Sequence, residues 1–172
     1  MPKLILTTLL ISISIWYYLS GNYYYSNYIH NGSFSGKTNQ TIYDNWYTFV
    51  DTFKTTNLKD KLILLDFYTN NNPSCFREMP AFQDIYNKYK NDTNILIYAI
   101  NFTVADDLPE HTMSLIKQKN FTFPVVIGND TLDEIFKLRS FPEVVMVKNN
   151  HALYRGNAEC AEAVINEHLN KK

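Results

Sequence analysis

Thiol chemistry in this chain depends on two cysteines, Cys75 and Cys160. Two are too few for a disulfide scaffold, and they do not form a Cys-x-x-Cys pair, the arrangement of a dithiol redox centre. Three residues before Cys75, where such a pair would have its attacking sulfur, the chain has Asn72. The four histidines are scattered without the spacing of metal ligands, so we expect neither a metal nor another cofactor.

The segment Asn72-Pro73-Ser74-Cys75 has the residue types of a helix N-terminus. An asparagine side chain at the N-cap accepts a hydrogen bond from the first turn, and proline suits the first helical position. We therefore predict a helix from Ser74 to Lys90, whose apolar residues recur at helical spacing. Cys75 falls in its first turn. A small buried side chain is the favoured role there, and a reactive thiol is the alternative.

From Thr41 onward, apolar runs alternate with amphipathic stretches. Leu62–Tyr68 is an almost continuous apolar run, typical of a central strand covered on both faces. The other predicted elements are a helix over 43–53, a strand over 94–100, a helix over 109–119, an extended segment over 123–127, a helix over 132–138, a hairpin of 144–147 with 152–154, and a helix over 158–169. Strands alternating with helices imply parallel pairing, and the hairpin makes the sheet mixed. The predicted fold class is α/β, with three layers around a central mixed sheet.

The first 20 residues predict a membrane segment. Leu4 to Leu19 carries no charge and spans roughly 24 Å as a helix, and the aromatic residues beside it suit a bilayer interface. An uncleaved anchor is favoured, with a cleaved signal peptide or a buried helix as alternatives. Because Lys3 is the only basic residue before Lys37, the positive-inside bias places the rest of the chain outside the cytoplasm. We expect a membrane-anchored protein facing the periplasm or another extracytoplasmic space, or one secreted after signal cleavage.

The length of the chain limits the number of domains, and its charge limits the class of partner. A chain of 172 residues suits one ordinary domain plus a short extra segment. We assign an anchor or signal segment to 1–20, a linker to 21–40 and a single domain to 41–172. The net charge of −1 and the absence of a block rich in lysine and arginine argue against nucleic acid as a partner.

The stretch from Phe67 to Pro80 resembles the active-site segment of thioredoxin-like proteins, which reads roughly F-W-A-x-W-C-x-x-C-x-x-x-x-P. Leu65-Asp66-Phe67-Tyr68 is similar to the V-D-F-W strand of that family, and Ser140-Phe141-Pro142-Glu143-Val144 is similar to its G-x-P-T-x stretch. The resemblance covers about Asp44 to Lys172. The stretch from Arg77 onward, together with 123–126 and the anchor, looks closest to the membrane-tethered, extracytoplasmic TlpA/ResA-like branch.

The resemblance implies roles for the matching residues. Cys75 takes the place of the second, resolving cysteine, and Asn72 takes the place of the attacking one. Asp66 falls on a buried aspartate that assists proton transfer, and we expect desolvation to raise its pKa. Pro142 falls on a proline that is cis and faces the active site.

The family's groove would run between the helix start at Pro73 and Ser74 and the loop at Phe141 and Pro142. The favoured interpretation is a redox-inactive module that binds a protein or an extended peptide in this groove by backbone pairing. The reason is that Asn72 keeps the helix start but cannot attack a disulfide. The position of Cys75 argues against a peroxidatic role. Peroxiredoxin-like proteins keep the cysteine at the first position of the pair, whereas Cys75 takes the second.

The alternative is a residual thiol-disulfide oxidoreductase that acts through Cys75 alone, with Cys160, or with a partner's cysteine. Cys160 lies in the first turn of the last predicted helix. A disulfide needs Cα atoms within about 7 Å, and the expected gap to Cys75 is larger. A free, semi-buried Cys160 thiol is therefore favoured.

Overall fold

The computed structural model of the chain describes residues 36–42, 46–49, 53, 57–103 and 109–169. The predicted membrane segment, most of the predicted linker and much of the helix predicted over 43–53 lie outside these ranges. Within the described ranges, no helix is both long enough and apolar enough to cross a membrane.

The described part of the chain contains six strands and four α-helices. The strands are β1 (Gly36–Thr41), β2 (Leu62–Tyr68), β3 (Ile95–Asn101), β4 (Val125–Ile127), β5 (Glu143–Lys148) and β6 (His151–Gly156). The helices are α1 (Pro73–Tyr89), α2 (Pro109–Gln118), α3 (Asp130–Phe136) and α4 (Ala158–Leu169), and a 3-10 turn covers Trp46–Phe49.

These strands form one mixed sheet in the order β1-β6-β5-β2-β3-β4. Strands β2, β3 and β4 are parallel, whereas β5 runs antiparallel to β2, and β6 and β1 continue the antiparallel edge. The α/β class and the mixed sheet predicted from the sequence are confirmed.

Strand β2 is central and buried along its whole length. Because side chains alternate between the two faces of a strand, its even-numbered and odd-numbered residues enter different cores. One core contains Leu62, Leu64 and Tyr68 together with apolar residues of α1, α2 and α4. The other contains Ile63, Leu65 and Phe67 together with α3 and the 3-10 turn. This two-sided burial explains the almost continuous apolar run in the sequence.

Two elements differ from the sequence-based expectation. Strand β1 occupies Gly36–Thr41, five residues of which fall in the predicted linker. Its sequence, GKTNQT, is polar, and among the described strands it pairs with β6 alone at the edge of the sheet, so no apolar alternation marks it. In the predicted helix over 43–53, the structure describes a 3-10 turn at Trp46–Phe49, anchored by a Trp46 side chain that is 1% exposed.

The sheet topology brings two loops together at the end of the sheet where β2 finishes and β5 begins. Strand β2 ends at Tyr68, and the loop over 69–72 leads from it into α1. Strand β5 runs the opposite way and begins at Glu143, which is paired with Phe67 near the end of β2. The loop over 137–142 that precedes β5 therefore lies at the same edge as the start of α1.

Candidate active site

Asn72 is the N-cap of α1. Its backbone is extended, with φ −102° and ψ 107°, and its side-chain Oδ1 accepts a 2.9 Å hydrogen bond from the N–H of Ser74. The other end of the same amide, Nδ2, donates to the carbonyl oxygen of Phe141 at 2.6 Å. One side chain thus caps the helix, as its sequence predicts, and joins that helix to the loop before β5.

The Cys75 thiol is buried in the first turn of α1, with 1% of the residue exposed. Its pKa is raised to about 11, chiefly by burial, with the carboxyl groups of Asp66 and Glu78 acting in the same direction and hydrogen bonding with Thr69 acting against them. At neutral pH this group is therefore a thiol and not the nucleophilic thiolate.

Asp66 lies on the face of β2 that carries Leu64 and Tyr68, and it is 2% exposed. Burial raises the pKa of this carboxyl group from its usual 3.8 to about 8, and the charge of Glu78 adds to the shift. Its Oδ1 finds no hydrogen-bond partner among the described residues. A protonated carboxylic acid is the form that such a site favours at neutral pH.

Glu78 is a member of this titrating group that sequence analysis did not single out. Burial raises its pKa from the usual 4.5 to about 7, with a further rise from Glu159 and a partial offset from Arg77. The signal for it was the spacing, because a residue three positions after Cys75 lies on the same face of a helix.

The loop over 137–142 lies next to the start of α1. The Phe141–Pro142 peptide bond is cis, as the resemblance implied. The Phe141 ring packs on Phe102, with 5.3 Å between the ring centroids. The backbone carbonyl oxygen of Phe141 lies next to the start of α1, where the Asn72 amide donates to it.

A buried ion pair holds the base of this loop. Arg155 Nη1 lies 3.0 Å from Glu143 Oε1, and the two side chains are 11% and 3% exposed. Arg155 also donates to the carbonyl oxygen of Phe136, and Glu143 Oε2 accepts from the N–H of Arg139 at 3.3 Å. Sequence analysis missed the pair, because two opposite charges on adjacent strands leave no local pattern.

The loop over 69–72 is fixed by a closed ring of three hydrogen bonds. Asn70 Nδ2 donates to Thr112 Oγ1 at 2.7 Å, Thr112 Oγ1 donates to Asn101 Oδ1 at 2.9 Å, and Asn101 Nδ2 donates to Asn70 Oδ1 at 3.2 Å. Asn101 and Thr112 are completely buried. A satisfied polar network of this kind rigidifies its surroundings, and here it ties the loop to β3 and α2.

Cys160 is the third residue of α4, in its first turn as predicted, but its side chain is exposed and not semi-buried. The helix buries the face of Ala158, Ala161 and Ile165, which leaves Cys160 on the solvent side. Cys75 and Cys160 are both free thiols.

A cavity of about 420 Å³ lies away from this site, near the turn between β5 and β6. Trp46, Leu58, Ile63 and Val147 contribute to its lining. The structure therefore does not place the candidate residues around this cavity. Among the described residues, no three His, Cys, Asp or Glu side chains are grouped in a way that could hold a metal ion.

The chemistry that this geometry supports directly is hydrogen bonding and proton exchange. Asp66 and Glu78 exchange protons near neutral pH, whereas the Cys75 thiol keeps its proton there. Asn72 donates to the Phe141 carbonyl oxygen, and Asp66 lies close enough to Cys75 for its charge to raise the pKa of the thiol. Cys160 is exposed on a separate helix.

Comparison with known proteins agrees with this architecture. The AhpC/TSA family model matches residues 38–151. Two curated relatives come from Bacillus subtilis (strain 168). Thioredoxin-like protein YneN is 26% identical over 84 residues, which are 49% of this chain and 48% of the relative. Sporulation thiol-disulfide oxidoreductase A is 28% identical over 79 residues, 46% of each chain. The aligned segments span about half the length of these relatives.

Among solved structures, a thiol:disulfide interchange protein from Bacteroides sp. superposes with a TM-score of 0.56 at 18% identity, covering 81% of this chain and 91% of that one. This likeness shows the fold. Because the family model spans more than half of the sequence, the chain belongs to the AhpC/TSA family, within the thioredoxin-like fold.

Proposed function

We propose that this protein is a redox-inactive thioredoxin-like module that binds a protein or an extended peptide in the groove between Asn72-Pro73-Ser74 and Phe141-Pro142. Two observations together carry the proposal. Asn72 occupies the helix cap, and the Cys75 thiol is 1% exposed and has a pKa of about 11. Thiol-disulfide exchange begins with attack by an accessible thiolate. An amide at the cap supplies no sulfur, and the buried thiol is neither ionised nor accessible.

A residual thiol-disulfide oxidoreductase is the second candidate, because Cys160 is exposed and free at the start of α4. This helix packs against α1, which carries Cys75, and Tyr89 Oη donates to Asn166 Oδ1 at 2.9 Å across their interface. In this version, Cys160 would make the first attack and Cys75 would act after a local opening of α1.

A redox titration of the full chain separates the two candidates. The protein is equilibrated in glutathione buffers of increasing oxidation, and its free thiols are then labelled with a mass tag. We expect Cys75 to remain reduced and untagged in the native protein at every potential, and to accept the tag only after unfolding. A reversible Cys75–Cys160 disulfide with a defined midpoint would establish the residual enzyme instead. The variant Cys160→Ser is the control that identifies the tagged sulfur.

We also propose that residues 1–20 anchor the protein in a membrane and that the thioredoxin-like domain faces an extracytoplasmic space, from which its partner would come. The uncharged run from Leu4 to Leu19 and the lone Lys3 before it support this. In spheroplasts or protoplasts, added protease should degrade the domain, and alkaline carbonate should leave the full chain in the membrane fraction. Release by carbonate would contradict the anchor, and protection from protease in such cells would contradict the orientation.

A further inference from the structure

We infer that the groove is closed by the Asn72 side chain, whose amide occupies the carbonyl oxygen of Phe141 that an extended peptide would otherwise use. A peptide would then bind by displacing this amide. The inference rests on the proposed function, because it describes how access to the same groove is controlled. One hydrogen bond, 2.6 Å long, joins Asn72 to Phe141, which lies 69 positions further along the chain.

The orientation of the Asn72 amide is determined by its two partners. The N–H of Ser74 is a donor and must meet the amide oxygen, at 2.9 Å. The carbonyl of Phe141 is an acceptor and must meet the NH₂ group, at 2.6 Å. Rotating the amide by 180° would oppose donor to donor and acceptor to acceptor, so only one orientation satisfies both contacts.

Both ends of this bridge are held by other interactions. On the helix side, the closed ring of Asn70, Asn101 and Thr112 fixes the loop that carries Asn72. On the other side, Phe141 packs against Phe102, and the buried pair of Glu143 with Arg155 holds the base of the loop. Contacts other than the Asn72–Phe141 hydrogen bond therefore help to hold both sides of the bridge.

The residue type at position 72 suits this closure. Serine and aspartate cap helices about as well as asparagine. The serine side chain is shorter, and an ionised aspartate has no proton to donate to a carbonyl oxygen. Asparagine accepts at the cap and donates across the groove with the same planar group. The bridging NH₂ has the donor chemistry of a peptide N–H, so the group that it keeps out is the backbone of an extended polypeptide.

The test measures binding of a fluorescein-labelled, S-carboxymethylated insulin B chain, an extended polypeptide without thiols, to the full chain. In Asn72→Ser, the cap remains and the bridge is lost, and in Asn72→Asp the acceptor remains without the donor. Asn129→Ser is the matched control, because Asn129 Oδ1 caps α3 by accepting from the N–H of Leu132 at 3.1 Å. We expect both position-72 variants to bind the probe roughly fivefold to tenfold more tightly than the wild type, which corresponds to one net hydrogen bond. The Asn129→Ser variant should bind like the wild type.

Equal, measurable affinity in the wild type and both position-72 variants would overturn the closure and leave groove binding intact. Failure of every form to bind the probe would contradict the closure and the proposed function together. Thermal unfolding of each variant identifies any loss of fold, and an unfolding midpoint of Asn72→Ser close to that of Asn129→Ser shows that the cap is retained. Tighter binding by both position-72 variants alone supports the inference.

Discussion

Replacing Asp66 by asparagine should make the protein more stable above neutral pH and should flatten the dependence of its stability on pH. Asp66 is 2% exposed, its Oδ1 has no hydrogen-bond partner among the described residues, and burial raises its pKa from 3.8 to about 8. Ionising this group in the native protein is therefore costly, and the neutral amide of Asn removes that cost.

The direction follows from proton linkage. Between pH 4 and pH 8, the native protein keeps the Asp66 proton and the unfolded chain releases it. The native state binds more protons across this window, so the free energy of unfolding falls as pH rises, and the contribution of the group is complete only below pH 4. Each pH unit is worth about 1.4 kcal/mol, so the stability difference between Asp66→Asn and the wild type should widen by roughly 3–4 kcal/mol between pH 5 and pH 8.

Urea unfolding at several pH values measures this difference directly. The matched control is Glu78→Gln on α1, since Glu78 titrates in the narrower window from 4.5 to about 7 and is only half-buried. Glu78→Gln should flatten the profile less and only below about pH 7. If the free energies of unfolding of the wild type and Asp66→Asn changed in parallel with pH across the whole range, Asp66 would not be a buried acid with a raised pKa.

Replacing Asn72 by cysteine should create a disulfide reductase. The new thiol would sit at the N-terminus of α1, where the helix dipole and free N–H groups stabilise a thiolate, three residues before Cys75. That thiolate would attack a substrate disulfide to form a mixed disulfide. Cys75 would then displace the substrate sulfur, leaving an internal disulfide that dithiothreitol reduces. We expect reduction of insulin by dithiothreitol to proceed roughly tenfold faster with this variant than with the wild type.

Two controls isolate the two sulfurs. Asn72→Ser keeps the helix cap without adding a thiol, so it should leave insulin reduction at the level of the reductant alone. The double variant Asn72→Cys with Cys75→Ser should accumulate a mixed disulfide with insulin and turn over slowly, because nothing resolves it. Complete inactivity of a folded Asn72→Cys variant would mean that the groove no longer accepts a disulfide substrate.

Local patterns predicted the elements whose physical causes are local. The run Leu62–Tyr68 predicts a two-sided buried strand, and the structure places its alternate side chains in two cores. The segment from Asn72 to Cys75 predicts a helix start, and the observed helix begins at Pro73 with Asn72 as its cap. Strand β1 gave no such signal, because a polar edge strand is defined by its pairing with β6 and not by its own composition.

The contacts that shape the site join distant parts of the chain, and for that reason the sequence does not reveal them. The Asn72–Phe141 hydrogen bond joins residues 69 positions apart. The amide of the completely buried Asn101 is satisfied by Asn70 and Thr112, which lie in other parts of the fold. The Glu143–Arg155 pair depends on the register between β5 and β6. The resemblance singled out Asn72 and Phe141, but only the fold shows that the Asn72 amide donates to the Phe141 carbonyl oxygen.

The most direct test of the central claim is insulin reduction by the wild-type full chain in dithiothreitol, measured beside Cys75→Ser. If the module is redox-inactive, both proteins leave the rate at that of dithiothreitol alone, since the Cys75 thiol is buried and un-ionised at neutral pH. A wild-type rate above this background that Cys75→Ser abolishes would contradict the claim and would establish a thiol-disulfide oxidoreductase acting through Cys75.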